Sequence, residues 1–140
     1  MAEGSVIQRS HERALSSDIS FKKILSLVKE LRIHNQDKPI VLMGYMNNFL
    51  SQGENLFKKI KKAGVDGLII VDLPYEESEF FYNQLKGIDL DLIRLISPTT
   101  PKKTIEKIVK FSSGFLYYVS FRGVTGAKLS NFKEVQDKVK

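Results

Sequence analysis

Cysteine and tryptophan are both absent from the 140 residues. The missing cysteine excludes disulfide frameworks, zinc–thiolate centres and thiol nucleophiles. The two histidines, His11 and His34, lie far apart and lack a second metal-ligand pattern, so no metal site is expected; no cofactor is expected either. No apolar run approaches the roughly 18 residues needed to cross a bilayer, and the opening stretch is polar and mixed in charge. A secreted or membrane-spanning product is not expected, and the expected location is cytoplasmic. Low-complexity tracts and interdomain linkers are also missing, so residues 1–140 read as a single domain. A closed (β/α)8 barrel typically needs ~250 residues, so this length holds about half of one.

What is present is an ordinary globular composition, with 42% hydrophobic and 27% charged residues. Lysine plus arginine total 22 against 16 acidic residues, a net charge of +6. Such a balance raises the question of a nucleic-acid partner. Lysine dominates over arginine, whereas base and phosphate readers lean on the arginine fork. The run Lys58-Lys59-Ile60-Lys61-Lys62 sits beside Leu56, Phe57 and Ile60, the stripe of an amphipathic helix with solvated lysines outside. Aromatic side chains are not interleaved with these cations as stacking platforms. No nucleic-acid or membrane partner is expected.

Four short segments rich in β-branched and apolar residues recur at the spacing of one strand, one helix and two loops: 39–43, 67–71, 90–96 and 115–119. Near-continuous apolar strands alternating with amphipathic helices predict a parallel sheet with covered faces. Ser20 is placed to cap a helix reaching about Asn35, with Phe21, Ile24, Leu25, Val28 and Leu31 as its buried stripe. A second helix carries Leu56, Phe57 and Ile60 and stops at Ala63-Gly64. Pro74 precedes an acidic helix start at Glu76-Glu77. Pro101 opens the next helix with Thr100 as its cap, and a last helical stretch is expected from about Ser130 to Lys140.

In strand–helix repeats, functional groups gather in the loops that follow the carboxyl ends of the strands. The four loops carry Gly44 to Asn48, Asp72 to Pro74, Ser97 to Thr100, and Ser120 to Gly126. Together they outline a small-molecule site lined by Tyr45, Asp72, Thr125 and the backbone at Gly126. Ordinary turns use the same residue types. The pair Gly123 and Gly126 leaves backbone N–H groups accessible to a phosphate, but it belongs to no Walker or dinucleotide signature. Glu76-Glu77 fits an acid/base pair or simple helix-start carboxylates.

Taken together, Gly44-Tyr45-Met46-Asn47, the stretch from Ala63 through Asp72-Leu73-Pro74 to Glu77, Ser97-Pro98-Thr99-Thr100-Pro101 and Gly123-Val124-Thr125-Gly126-Ala127 closely resemble the tryptophan synthase alpha chain family. The opening Ala2 to Gln8, followed by Arg13-Ala14-Leu15, resembles the family's segment after its second strand. The resemblance is collinear over essentially the whole chain. It implies a partial TIM (β/α)8 barrel corresponding to about strands 3–6. It further implies a lyase that cleaves indole-3-glycerol phosphate to indole and glyceraldehyde 3-phosphate, with indole passing to a PLP-dependent beta chain in an alpha2beta2 complex. Glu3 matches the family's catalytic aspartate, Tyr45 and Tyr117 its pocket aromatics, and Asp72 an acidic residue bordering the site and subunit interface. Thr125 matches the loop threonine that meets the aspartate, and Gly126 a phosphate-contacting backbone position. Asn47, Asn48 and Pro74 would face the beta chain.

Some departures bear on activity. The family's general-acid glutamate lies in a Glu-Leu-Gly-x-Pro-Phe-Ser-Asp-Pro motif that is not among these residues, and the last two strands with their phosphate loops are likewise missing. Glu3 is one methylene longer than the usual aspartate, and a displacement of ~1 Å costs on the order of 100-fold in catalysis. Asn48 stands where many members have proline. The expected polypeptide is therefore inactive in cleavage by itself; the alternative is a noncatalytic module that binds the beta chain. Half a barrel also leaves strand edges and an apolar inner face open. Gel filtration with light scattering should accordingly give a mass above the 16.0 kDa monomer, and a stable, well-folded monomer would contradict this expectation.

Overall fold

The computed structural model describes residues 4–53 and 55–119. The elements run α1 (Gly4–Ser16), α2 (Phe21–His34), β1 (Val41–Gly44), α3 (Met46–Leu50), α4 (Leu56–Ala63), β2 (Gly67–Ile70), α5 (Ser78–Lys86), β3 (Asp91–Ile96), α6 (Lys102–Lys110) and β4 (Leu116–Tyr118). The strands form one sheet in the order β1-β2-β3-β4, and each neighbouring pair is parallel. Helices connect successive strands, as parallel pairing requires. This is the parallel strand–helix repeat that the apolar periodicity predicts, and it is consistent with the partial TIM barrel that the resemblance implies. The final helical stretch expected at Ser130–Lys140 lies outside the described residues.

Register explains the core. Leu42, Leu68 and Leu92 stand side by side on one sheet face. With Ile70 they pack against Val28, Phe49, Leu56, Ile60, Phe81 and Leu85 of the helical layer. Burying a large aliphatic side chain contributes about 1.5–3 kcal/mol, so this leucine row is a principal source of stability. The opposite face carries Met43, Ile69 and Ile93 in one row and Leu95 with Tyr117 in the next. Its centre is closed, because Ile69 and Ile93 are buried, whereas Met43, Phe115, Tyr117 and Val119 are exposed. Gly67 helps close that centre: a Cβ there would lie 2.8 Å from the Ile93 Cδ1.

Local signals account for most helix ends. The Ser20 hydroxyl accepts the Lys23 N–H at 3.3 Å and caps α2. α4 ends at Gly64, whose φ of +102° suits glycine. Four details depart from the sequence reading. Leu31 is exposed rather than part of the α2 stripe, since the α2 contact centres on Val28 with Phe21 and Leu25 beside it. The loop after β1 contains the short helix α3. α5 begins at Ser78, so Glu76 lies in the preceding turn and Glu77 only flanks the helix. Thr100 caps nothing: its Oγ1 accepts the Ser97 N–H at 2.9 Å, and Pro101 takes the N-cap position of α6.

The amino ends of β1 and β2 are tied together by one arginine. Arg32 on α2 donates to the Gly64 carbonyl and to the carbonyls of Asn35, Gln36 and Lys38. It also pairs with Asp66, whose carboxylate accepts the Ile40 N–H at 2.7 Å. A Cβ at residue 64 would meet the Arg32 side chain at 3.0 Å, so glycine serves both the turn and the clamp. Burial favours the protonated Asp66 carboxyl, but the Ile40 hydrogen bond and the Arg32 charge outweigh it and hold the pKa below the ordinary value. A depressed carboxylate pKa contributes stability above its unfolded value, and that contribution is lost as the pH falls through the folded value. Denaturant unfolding at neutral and acid pH should therefore show Asp66→Asn flattening the acid loss. Arg32→Met should lower stability at neutral pH by about 1.5–3 kcal/mol.

Candidate functional site at the carboxyl ends of the strands

The loops leaving β1, β2 and β3 all emerge at the carboxyl end of the parallel sheet, where such repeats hold their functional groups. Tyr45 is the first residue after β1 and occupies the N-cap of α3 in extended conformation (φ −85°, ψ 154°). Its carbonyl accepts the Asn48 N–H at 3.0 Å, and the side chain is half-buried. Asn47 and Asn48 are exposed on α3, while Phe49 turns inward to the core. Phe49 meets Phe21 edge-on at 6.5 Å. One helical turn thus carries buried and exposed groups on opposite sides.

Asp72 links this turn to the next loop. Its Oδ1 accepts the Met46 N–H at 2.7 Å, satisfying an amide that the first turn of α3 leaves without a helical partner. The segment around Asp72 is anchored: Val71 N–H donates to the Gly44 carbonyl at 2.9 Å and Leu73 N–H to the Ile70 carbonyl at 3.3 Å. Pro74 is exposed, and its carbonyl accepts the buried Ser78 hydroxyl at 3.1 Å. The chain therefore reaches α5 through a turn in which Tyr75 to Glu77 face solvent.

After β3, the Ser97, Thr99 and Thr100 hydroxyls form a local cluster, with 2.9 Å between the Ser97 and Thr99 oxygens. Tyr117 lies on β4 beside Leu95, with 44% of its surface exposed on the face shared with Met43. The structure thus brings Tyr45 and Asp72 to one end of the sheet, with Asn47, Asn48 and Pro74 around them. Tyr117 stands two strands away from β2 on the open face. Glu3, Thr125 and Gly126 lie outside the described residues.

An apolar groove of about 540 Å³ on the helical layer is lined by Phe49, Leu50, Leu56, Phe57, Phe80 and Phe81, and it includes none of the predicted site residues. Among the described residues no cluster of His, Asp and Glu forms a metal-binding group. No described helix is long and apolar enough to cross a membrane.

Sequence reasoning passed over Arg94. It sits inside a strand otherwise written Leu92-Ile93 and Leu95-Ile96, is only 6% exposed, and donates from Nη2 to the Leu73 carbonyl at 2.7 Å. A lone cation inside an apolar strand was the available signal.

A family model described as "Tryptophan synthase alpha chain" matches residues 1–140. The tryptophan synthase alpha chain of Janthinobacterium sp. (strain Marseille) is 49% identical over 140 residues, covering 99% of this chain and 53% of that protein. That of Nitrosomonas europaea is 45% identical, with 99% and 51% covered. Among solved structures, a chain of the tryptophan synthase a2b2 complex of Pyrococcus furiosus superposes with a TM-score of 0.88 at 35% identity, covering 99% of this chain and 56% of that one. The tryptophan synthase alpha chain of Legionella pneumophila gives 0.83 at 36% identity, with 97% and 51% covered. The chain spans about half the length of the curated relatives it matches.

The geometry yields one direct test. Removing the Asp72 carboxylate leaves the Met46 amide without its side-chain acceptor, a loss comparable to that of a helix cap. Asp72→Ala should lower the unfolding free energy by about 1 kcal/mol with an unchanged denaturant slope.

Proposed function

The chain belongs to the tryptophan synthase alpha chain family, and from that membership we propose that its site serves the family's lyase reaction, cleavage of indole-3-glycerol phosphate to indole and glyceraldehyde 3-phosphate. The observation that carries the proposal is the Asp72–Met46 bond, which joins the loops of β1 and β2 at the carboxyl end of the sheet beside half-buried Tyr45. Retro-aldol cleavage needs an acid at indole C3, a base for the glycerol hydroxyl proton and donors for the phosphate. In this reading Glu3 holds the indole N–H and assists proton transfer, while Tyr45 and Tyr117 contact the indole ring. Asp72 borders the pocket and holds α3 in register with it. Thr125 meets Glu3 when its loop closes, and the Gly126 backbone contacts the phosphate; closure of that loop excludes water.

The general-acid motif and the later phosphate loops of the family are not among these 140 residues. We accordingly propose that the 140-residue polypeptide, acting as a single partial-barrel domain, does not turn over substrate alone. Asn47 and Asn48 on α3 and Pro74 in the following loop are exposed at the same end, which supports a second role as a noncatalytic module docking on the tryptophan synthase beta chain. Under either reading the chain works in the cytoplasm without a metal or cofactor of its own.

Assay of the purified polypeptide with indole-3-glycerol phosphate should give no indole above background. Added to a beta chain, it should co-purify and change the rate of serine-to-tryptophan conversion. Turnover near that of a full-length alpha chain would overturn the first statement, and an unchanged beta-chain rate with no co-purification the second.

A further inference from the structure

Arg94 is the least expected side chain in the core. It lies on the helix-facing side of β3, in register with Leu116, and is 6% exposed. Its Nε is buried without a hydrogen-bond partner, and its described bond runs from Nη2 to the Leu73 carbonyl at 2.7 Å. Burial lowers its pKa, because the charged form loses solvation. A buried cation held by a neutral acceptor is a poor way to fill a core that an apolar side chain would fill at least as well. What the guanidinium supplies is a directed bond, strengthened by its low-dielectric surroundings.

That bond falls on the residue next to Asp72. Val71 is fixed to β1 through the Gly44 carbonyl at 2.9 Å, and Leu73 N–H closes its own turn on Ile70 at a longer 3.3 Å. Without Arg94, Leu73 would keep that longer turn contact and its place in the core, but its carbonyl would lose the bond from β3. With it, the exit of β2 is pinned from β1 on one side and from β3 on the other. The carboxylate between the two pins then meets the Met46 N–H at 2.7 Å.

We propose that Arg94 is a positioning residue: it holds the Asp72-Leu73-Pro74 turn from β3, and through Asp72 it sets the α3 turn that carries Asn47 and Asn48. The inference deepens the proposed site by naming what aligns two of its loops, and rests on that reading only for the site's purpose. Replacement of a buried charge by an apolar side chain of similar length is commonly tolerated, so Arg94→Met is the informative variant.

Amide hydrogen exchange resolved by NMR on the 140-residue chain reads the effect. In Arg94→Met, exchange at Met46 should accelerate by about tenfold or more, while the β2 core amides keep wild-type protection. Unchanged exchange at Met46 would overturn the proposal. So would equal acceleration at Met46 and in β2, because Arg94 would then be a packing residue only. If the methionine variant fails to fold, Arg94→Lys is measured by the same two rates with the same outcomes. The experiment uses neither substrate nor beta chain, so its failure is distinct from failure of the lyase or docking readings.

Discussion

A parallel sheet has two faces to cover, and in this chain α2, α4 and α5 pack against one of them. The row Leu42, Leu68 and Leu92 meets side chains of α2, α4 and α5, and the register that aligns these leucines also aligns everything on the reverse side. Shifting one strand by a single residue would exchange its buried and open sets. The placement of Met43, Ile69 and Ile93 on the reverse face is therefore a consequence of the leucine row, and the β3–β4 register sets Tyr117 beside Leu95. The open flanks of the reverse face, at β1 and β4, are the positions that further strands cover in an eight-stranded barrel.

The two ends of the sheet are built from different chemistry. At the amino end, Arg32 gathers backbone carbonyls and the Asp66 carboxylate into a clamp between α2 and the strand starts. At the carboxyl end, single hydrogen bonds run from strand to loop to neighbouring loop: Arg94 to Leu73, then Asp72 to Met46. The first arrangement holds the frame. The second sets the relative position of short turns whose exposed residues remain available to a ligand or partner. Such a division suits strand–helix repeats, where the amino end serves stability and the carboxyl end carries chemistry.

Much of this was legible in the sequence, for reasons that differ by element. The strands announced themselves because burial on both sides forces near-continuous apolar runs, and β2 (Gly67–Ile70) is buried throughout. Ser20 and Gly64 were readable because helix ends need a side-chain acceptor and a left-handed residue. Other features depend on partners distant in sequence. α3 is five residues long, and its first amide is satisfied by Asp72 from another loop, so local propensity does not announce it. Thr100 looked like a cap until the Ser97 amide claimed its hydroxyl. Leu31 fits the helical period yet lies beyond the reach of the core, and Arg94 became meaningful only once β2 lay beside it. Tyr45, Asp72 and Pro74 were legible as loop residues after strands, whereas the bond that unites two of those loops was not.

On the proposed function, the carboxyl-end loops tied together through Asp72 are the surface that meets the beta chain. Hydrogen exchange of the 140-residue chain with and without a tryptophan synthase beta chain tests it most directly. New protection should concentrate in residues 45–50 and 72–77, with the amino-end clamp around Arg32, Gly64 and Asp66 unchanged. Protection confined to the clamp end, or to the groove between α4 and α5, would contradict it.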